Sequence, residues 1–292
     1  MAKSWWDIEE VSRNVHKLRV VLNQSASRYA LWISDVHWDN PKCDRELFKA
    51  CLDEAVEKDA PIFIVGDFFC AMQGKYDRRA SKDDVRPEHQ SGNYLDVLVD
   101  DAIQYLEPYK DHIALISDGN HETAITKNHE TNLLDRLTSG LRRAGGVTLY
   151  GGYQGWVIHH VTLHKNSRTS WTAYYWHGGG GGAPVTKGQI DFNRIAEFVT
   201  ADAYICGHIH RRNCNDQAVM SLNADGKQII KQRDYVRLST FKQEGDQSHG
   251  WAVERKMGPR PLGGYWCELG SRSERKKGKR TLRHFRRWVP TI

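Results

Sequence analysis

The sequence predicts an α/β fold, and three observations carry that reading. Short apolar runs rich in β-branched residues alternate with amphipathic stretches at helical spacing. Each run stops at polar residues, repeatedly Asp, Asn or His. No internal repeat and no clear interdomain linker divides the 292 residues, a length that suits one large domain or two small ones.

The elements follow in order. "RYALWISDVHW" reads as a buried strand stopping at Ser34-Asp35. "CDRELFKACLDEAVEKDA" places Leu47, Phe48, Cys51, Leu52, Ala55 and Val56 on one helical face. "PIFIVGD" is a strand opened by Pro61 and closed by Gly66-Asp67. "NYLDVLVDDAIQYLEPY" is a second helix, broken around Pro108, and "HIALISDGNHE" is a strand running into a polar loop. "HETNLLDRLTSGLRRAGG" is a third helix, stopped by Gly145-Gly146. Beyond it, "VTLYGGYQGWVIHHVTLH" and "TSWTAYYWH" read as meandering strands, "KGQIDFNRIAEFVT" as a helix and "DAYICGH" as another strand. A closing hairpin is expected over about 219–238, turning near "NADGKQ".

Composition narrows the class. A hydrophobic fraction of 39%, ten tryptophans and a mean hydropathy of −0.65 describe a folded chain with a polar surface. No apolar run approaches the roughly 20 residues that span a bilayer, and "MAKSWWDIEEVSRNVHKLRV" lacks a signal-peptide core, so a cytoplasmic protein without membrane contact is expected. Six cysteines at irregular spacings, with no C-x-x-C pair, favour reduced structural thiols. Charge is uneven: residues 251–292 hold twelve Lys/Arg against three Glu, a net +9, which leaves −3 for the first 250. The expected organisation is a domain over 1–250, with segment 1–28 packed on it, and a basic C-terminal extension over 251–292. Such an extension points to a polyanion, DNA or RNA among them; a solubilising tail is the alternative.

The residues closing successive strands are Asp35 and His37, Asp67, Asn120 and His121, His177, then His208 and His210. An α/β fold gathers such positions beyond the carboxyl ends of its strands. One histidine there usually caps or packs. Five strand ends each delivering a carboxylate, imidazole or amide point instead to a binuclear centre for divalent cations. Two cations about 3.5–4 Å apart lower the pKa of a shared water, supply a hydroxide nucleophile near neutral pH and neutralise phosphate oxygens during in-line attack.

The blocks "SDVH", "VGD", "DGNHE", "WHGG" and "CGHIH", in that order from Asp35 to His210, resemble the calcineurin-like metallophosphoesterase superfamily. The resemblance covers about the first 240 residues. It implies a four-layer αββα sandwich, with two mixed β-sheets packed face to face and helices outside. It also implies a metal-dependent phosphoester hydrolase. By motif position, Asp35, His37 and His210 would hold one metal, Asn120, His177 and His208 the other, with Asp67 bridging. His121 would face the substrate as transition-state stabiliser or proton donor. Manganese is the expected metal, with iron, zinc and magnesium as alternatives. The second block departs from the family's usual G-D-x-x-D/N, because Cys70 stands in the last position.

Weaker features remain open. Arg211 and Arg212 follow the last block and would contact substrate phosphate, or lie solvated. Arg78, Arg79 and Arg86 fall in a long insertion that would form a lid or an ordinary loop. The five glycines after His177 would wall the site, and His159, His160 and His164 read as structural. Phe285 and Trp288, among the tail's cations, would stack on bases. A phosphodiesterase or nuclease is therefore expected; the alternatives are a phosphomonoesterase, a small-nucleotide phosphodiesterase, or a non-catalytic nucleic-acid-binding or scaffold protein on this fold.

Overall fold

The computed structural model describes residues 4–22, 27–72, 84–164, 167–181, 185–244, 253, 258–276 and 279–291. In chain order the strands are β1 (Trp6–Ser12), β2 (Val15–Val21), β3 (Arg28–Ile33), β4 (Ile62–Val65), β5 (Ile113–Ser117), β6 (Leu149–Tyr150), β7 (Gln154–His164), β8 (Ser167–Trp176), β9 (Ala203–Cys206), β10 (Asn213–Leu222), β11 (Gln228–Arg237), β12 (Tyr265–Lys276) and β13 (Lys279–Pro290). The helices are α1 (Arg45–Glu57), α2 (Tyr94–Leu106), α3 (Asn120–His129), α4 (Leu133–Arg143) and α5 (Gln189–Ala196).

Two mixed sheets result. One runs β1-β2-β7-β8-β9-β11-β10 and the other β13-β12-β3-β4-β5-β6. Strand alternation sorts side chains into three apolar layers. Leu31, Ile33, Ile62, Ile64 and Ile116 face Phe48, Leu52, Leu98, Leu137 and Leu141 of α1, α2 and α4. Their neighbours Ala30, Trp32, Phe63 and Val65 turn the other way and meet Val157, Ala173, Tyr175 and Ile205 of the opposite sheet. Tyr174, Trp176, Tyr204 and Tyr235 cover that sheet's outer face together with Phe192 of α5. The order helix, sheet, sheet, helix is the αββα sandwich.

Three local expectations change. The polar loop after β5 is helix α3 from Asn120 onward, because Glu122 in its first turn accepts the Gly119 N–H at 2.8 Å and caps it. Segment 1–28, expected only to pack on the domain, supplies the edge hairpin β1–β2, which Trp5 and Trp6 anchor by donating both indole N–H groups to the Asp59 carbonyl at 2.8 Å. The basic segment is not a detached tail over its described part. β12 pairs antiparallel with β3 and buries Trp266, Cys267 and Leu269, while β13 pairs with β12 along its whole length. Trp288, expected to stack on bases, meets Trp32 edge-on and donates its N–H to Asp234 at 3.0 Å. Among the described residues, no helix is long and apolar enough to cross a membrane. All six cysteines are free, and Cys214 alone of them is exposed.

Candidate metal centre

The eight residues expected at the site all lie at carboxyl ends of strands. Asp35 and His37 follow β3, Asp67 follows β4, and Asn120 and His121 follow β5; His177 closes β8, and His208 and His210 follow β9. Strands β3, β4 and β5 run parallel in one sheet, as do β8 and β9 in the other, so five chain ends open on one side. The chain beyond β3 and β4 stays paired: Asp35 N–H donates to Gly66 O at 3.0 Å and His37 N–H to Asp67 O at 3.1 Å. Asp35, His37, Asp67, His208 and His210 all adopt left-handed backbone, with φ between +49° and +72°. Each such residue costs on the order of 1–3 kcal/mol, and this kind of strain collects where side chains are turned into a site. Close approach also demands glycine. A Cβ on Gly207 would meet Ser34 Oγ and the Asp35 carboxylate, and one on Gly66, at φ +77°, would meet the His177 ring.

Three groups of donor atoms form among the described residues, each with its ligand atoms within 4.8 Å of one another: Asp35–His37–His210 and Asp67–His177–His208, which carry the expected ligands, and His37–Cys70–His121 beside them. Asn120 joins the second, its Oδ1 2.8 Å from His208 Nδ1. The outer hydrogen bonds fix which atoms face inward. His177 donates from Nδ1 to Val65 O at 3.1 Å, which leaves Nε2 as an acceptor 3.0 Å from Asp67 Oδ2. His210 directs Nδ1 at Glu244 Oε2, 3.0 Å away, leaving Nε2 3.2 Å from both His37 Nε2 and Asp35 Oδ1. His208 donates from Nε2 to Gly180 O at 3.1 Å, leaving Nδ1 against the Asn120 oxygen. Asp35 Oδ2 is used by Ser34 Oγ at 2.5 Å and the His208 N–H at 2.9 Å, so Oδ1 is buried with no hydrogen bond, as is His177 Nε2. With neutral imidazoles the inward atoms are acceptors facing acceptors. Such an arrangement requires positive charge between them, and a carboxylate–imidazole–amide set suits a hard or borderline divalent cation. The residues fit the metals.

The same demand for positive charge appears in the electrostatics, where the carboxylates draw protons onto two of the imidazoles. Burial opposes a charged His177, yet the Asp67 and Asp35 carboxylates outweigh it and hold its pKa up at about 10. Burial likewise opposes the His210 cation, and Asp35 and Glu244 raise it to about 9. Asp67, despite burial, is held well below the carboxylate range by His177 and His121. The other two imidazoles move down: His37 through burial, Lys242 and His210, and His208 through burial and His177.

Several residues support the site from positions to which the motifs give no role. Glu122 accepts from Phe69 N–H and Gly119 N–H, both at 2.8 Å, and from Asp67 N–H at 3.2 Å, tying the β4 and β5 turns together. Burial and the Asp67 charge push its pKa well up. Asp39 accepts from Cys70 N–H at 2.6 Å, Ala71 N–H at 2.8 Å and Tyr94 Oη–H at 2.5 Å. The loop so held presents the Cys70 carbonyl to His121 Nδ1 at 2.5 Å. The backbone at Cys70 therefore orients His121. Glu244, bound to His210, gives its other oxygen to Lys242 Nζ at 3.3 Å. Only Glu122 had a legible signal, as the last residue of "DGNHE" and the third after a helix-capping position.

The weaker candidates separate. Arg212 donates to Leu262 O at 3.2 Å and Thr291 O at 3.0 Å, so it ties backbone segments, whereas Arg211 makes no such bond among the described residues. Arg86 binds Cys43 O at 3.1 Å, and Arg78 and Arg79 lie outside the described residues. Of the glycine run, Gly178 and Gly180 offer their carbonyls to Tyr153 and His208, and Gly182 lies outside the described residues. His159 is buried and stacked on Trp171 at 3.6 Å, away from all three donor groups.

A family model described as calcineurin-like phosphoesterase matches residues 30–212. Among solved structures, the chain is similar to vacuolar protein sorting 29 from Cryptosporidium parvum, 14% identical over 89% of this chain and 97% of that one, with a TM-score of 0.36. It is similar to a metallophosphoesterase from Sphaerobacter thermophilus, 11% identical over 88% and 87%, TM-score 0.31. GAP50, the anchor in the inner membrane complex of Plasmodium, is 10% identical over 92% and 90%, TM-score 0.43. No curated protein matches the chain.

Proposed function

This chain belongs to the calcineurin-like phosphoesterase family, and from that premise we propose that it is a phosphodiesterase working through the eight residues above. The convergence of inward-facing acceptors on two points is the observation that supports this most directly. Asp35, His37 and His210 would hold one divalent cation and Asn120, His177 and His208 the other, with Asp67 beside both. Bound there, the pair supplies an activated water and neutralises charge on the phosphoryl oxygens.

The chain's own part is positioning and proton transfer. Ser34 and the His208 N–H hold the Asp35 carboxylate in one orientation. Glu122 and Asp39 hold the turns carrying Asp67 and His121. With Nδ1 engaged by Cys70 O, His121 presents Nε2, which lies 3.8 Å from Asp67 Oδ2 at the edge of the second donor group. A proton carried on that nitrogen in the imidazolium form is the one a departing oxygen would take. The test is turnover of bis-p-nitrophenyl phosphate with manganese by wild type and by His121→Ala. Loss of kcat in the variant with metal binding retained supports the assignment; undiminished kcat removes His121 from it.

A nucleic acid is the diester this reading favours. The net charge of +9 over residues 251–292, part of it carried by Arg272 and Arg283 on the β12–β13 hairpin, supports this. Deleting residues 271–292 would strip a strand from the sheet, so Arg272→Ser with Arg283→Ser is the cleaner probe. A weaker, less salt-dependent binding of single-stranded oligonucleotide supports the reading, and an unchanged salt slope counts against it.

A further inference from the structure

We propose that Arg211 and Arg260 form a paired-guanidinium subsite for a second phosphate of the substrate, adjoining the metal centre on its His210 side. The proposal rests on the phosphoesterase reading and narrows the substrate to esters that carry a neighbouring phosphate.

The backbone brings the two arginines together. Ser239 Oγ lies 3.3 Å from His210 O and also donates to Pro261 O. One hydroxyl thus reaches the peptide leading into Arg211 and the residue following Arg260. Arg212 extends the tie, donating to Leu262 O and Thr291 O, so segments 210–212 and 260–262 run side by side. Their closeness registers electrically as well: burial and then the charge of Arg211 both lower the Arg260 pKa.

Neither guanidinium has a partner among the described residues, and the Nε of each is buried without a hydrogen bond. An unbonded Nε is shared by Arg237, but the terminal nitrogens of the other arginines near the site are engaged. Arg237 donates to Gly207 O, Gly188 O and Asp191, and Arg286 to Asp234 and two carbonyls. The carboxylate that acts on Arg260 is Glu244, whose two oxygens already serve His210 and Lys242. Two cations held together with their carboxylate already taken leave an unmet demand for an anion. Paired guanidinium forks match phosphate oxygens in geometry as well as charge. A phosphate seated there would continue a chain whose reacting phosphate lies at the metals.

The experiment compares two chromogenic esters with the same scissile bond: the p-nitrophenyl ester of thymidine 5′-phosphate, with and without a 3′-phosphate. With manganese, the second phosphate is expected to raise wild-type kcat/KM about tenfold or more, and Arg211→Gln with Arg260→Gln to bring that ratio close to one. A wild type indifferent to the 3′-phosphate, or a double variant that keeps the preference, overturns the proposal. If wild type cleaves neither ester, the phosphoesterase reading fails instead. The subsite is then judged by binding of thymidine 3′,5′-bisphosphate in EDTA: loss in the double variant supports it, and equal binding overturns it. Should the double variant not fold, each single substitution is expected to lose part of the preference.

Discussion

Glu244→Ala removes the carboxylate that orients His210. In the intact chain the Glu244 oxygen accepts from His210 Nδ1 at 3.0 Å and is itself steadied by Lys242 at 3.3 Å from the other oxygen. Burial opposes ionisation of Glu244, but His210 and Lys242 prevail and hold it down at about 2, so it is a full negative charge at any working pH. Removing a partner of this kind behind a ligating imidazole weakens metal binding by about 10–100-fold. At about 1.4 kcal/mol per decade that is roughly 1.4–2.8 kcal/mol. Alanine loses both charge and orientation and is expected near the upper end; Glu244→Gln keeps an acceptor oxygen and is expected near the lower. The assay is calorimetric titration of manganese into EDTA-stripped protein, with circular dichroism to verify the fold. If Glu244→Ala binds manganese as tightly as wild type, Glu244 does not act through His210 and the account of the first donor group is wrong.

Other outcomes follow from the same geometry. His121→Ala is expected to lower kcat about 10²–10⁴-fold while manganese affinity stays within a few-fold; a large loss of affinity would make His121 a ligand. Gly207→Ala forces a methyl group against Ser34 and the Asp35 carboxylate, and is expected to cost about 1–3 kcal/mol by urea unfolding and to weaken metal binding; a neutral effect would mean the β9 turn moves freely. Burial lowers the pKa values of His16 and His284 to about 4, and that of His159 well below its usual range. The unfolded chain takes up these protons first, so stability is full above about pH 6.5 and falls as pH drops toward 4. His16→Gln is expected to flatten that decline in the urea midpoint, and an equally steep decline would assign the loss to other groups.

Much of the architecture was legible because buried strands and amphipathic helices leave opposite periodicities. "PIFIVGD" and "CDRELFKACLDEAVEKDA" could be read from those patterns alone, and they became β4 and α1. β1, β2 and α3 were not, for physical reasons. The first two form a partly exposed edge hairpin with mixed polarity, and α3 is short and polar, held chiefly by the Glu122 cap and by packing of Ile125. The basic C-terminal segment hid its strands beneath its charge: Trp266 enters the helix-facing layer and Tyr265, Cys267 and Leu269 the layer between the sheets, while charged residues fill the rest of the segment. At the site, strand-end residues stood out because each occupies the same place relative to its strand. Glu244 and Asp39 did not, since they reach their partners from across the fold, Glu244 from 34 positions beyond His210. The contrast between Arg211 and Arg212 was likewise invisible in sequence, where the two adjoin, and arises from carbonyls at Leu262 and Thr291.

The most direct test of the central claim is hydrolysis of bis-p-nitrophenyl phosphate by wild type and by His208→Ala with His210→Ala, each stripped with EDTA and then supplied with manganese. The account requires no turnover by the stripped wild type, recovery on adding manganese, and no recovery in the double variant, which removes one imidazole from each of the two donor groups that carry the expected ligands. Turnover that survives in the double variant, or that EDTA leaves untouched, would contradict it.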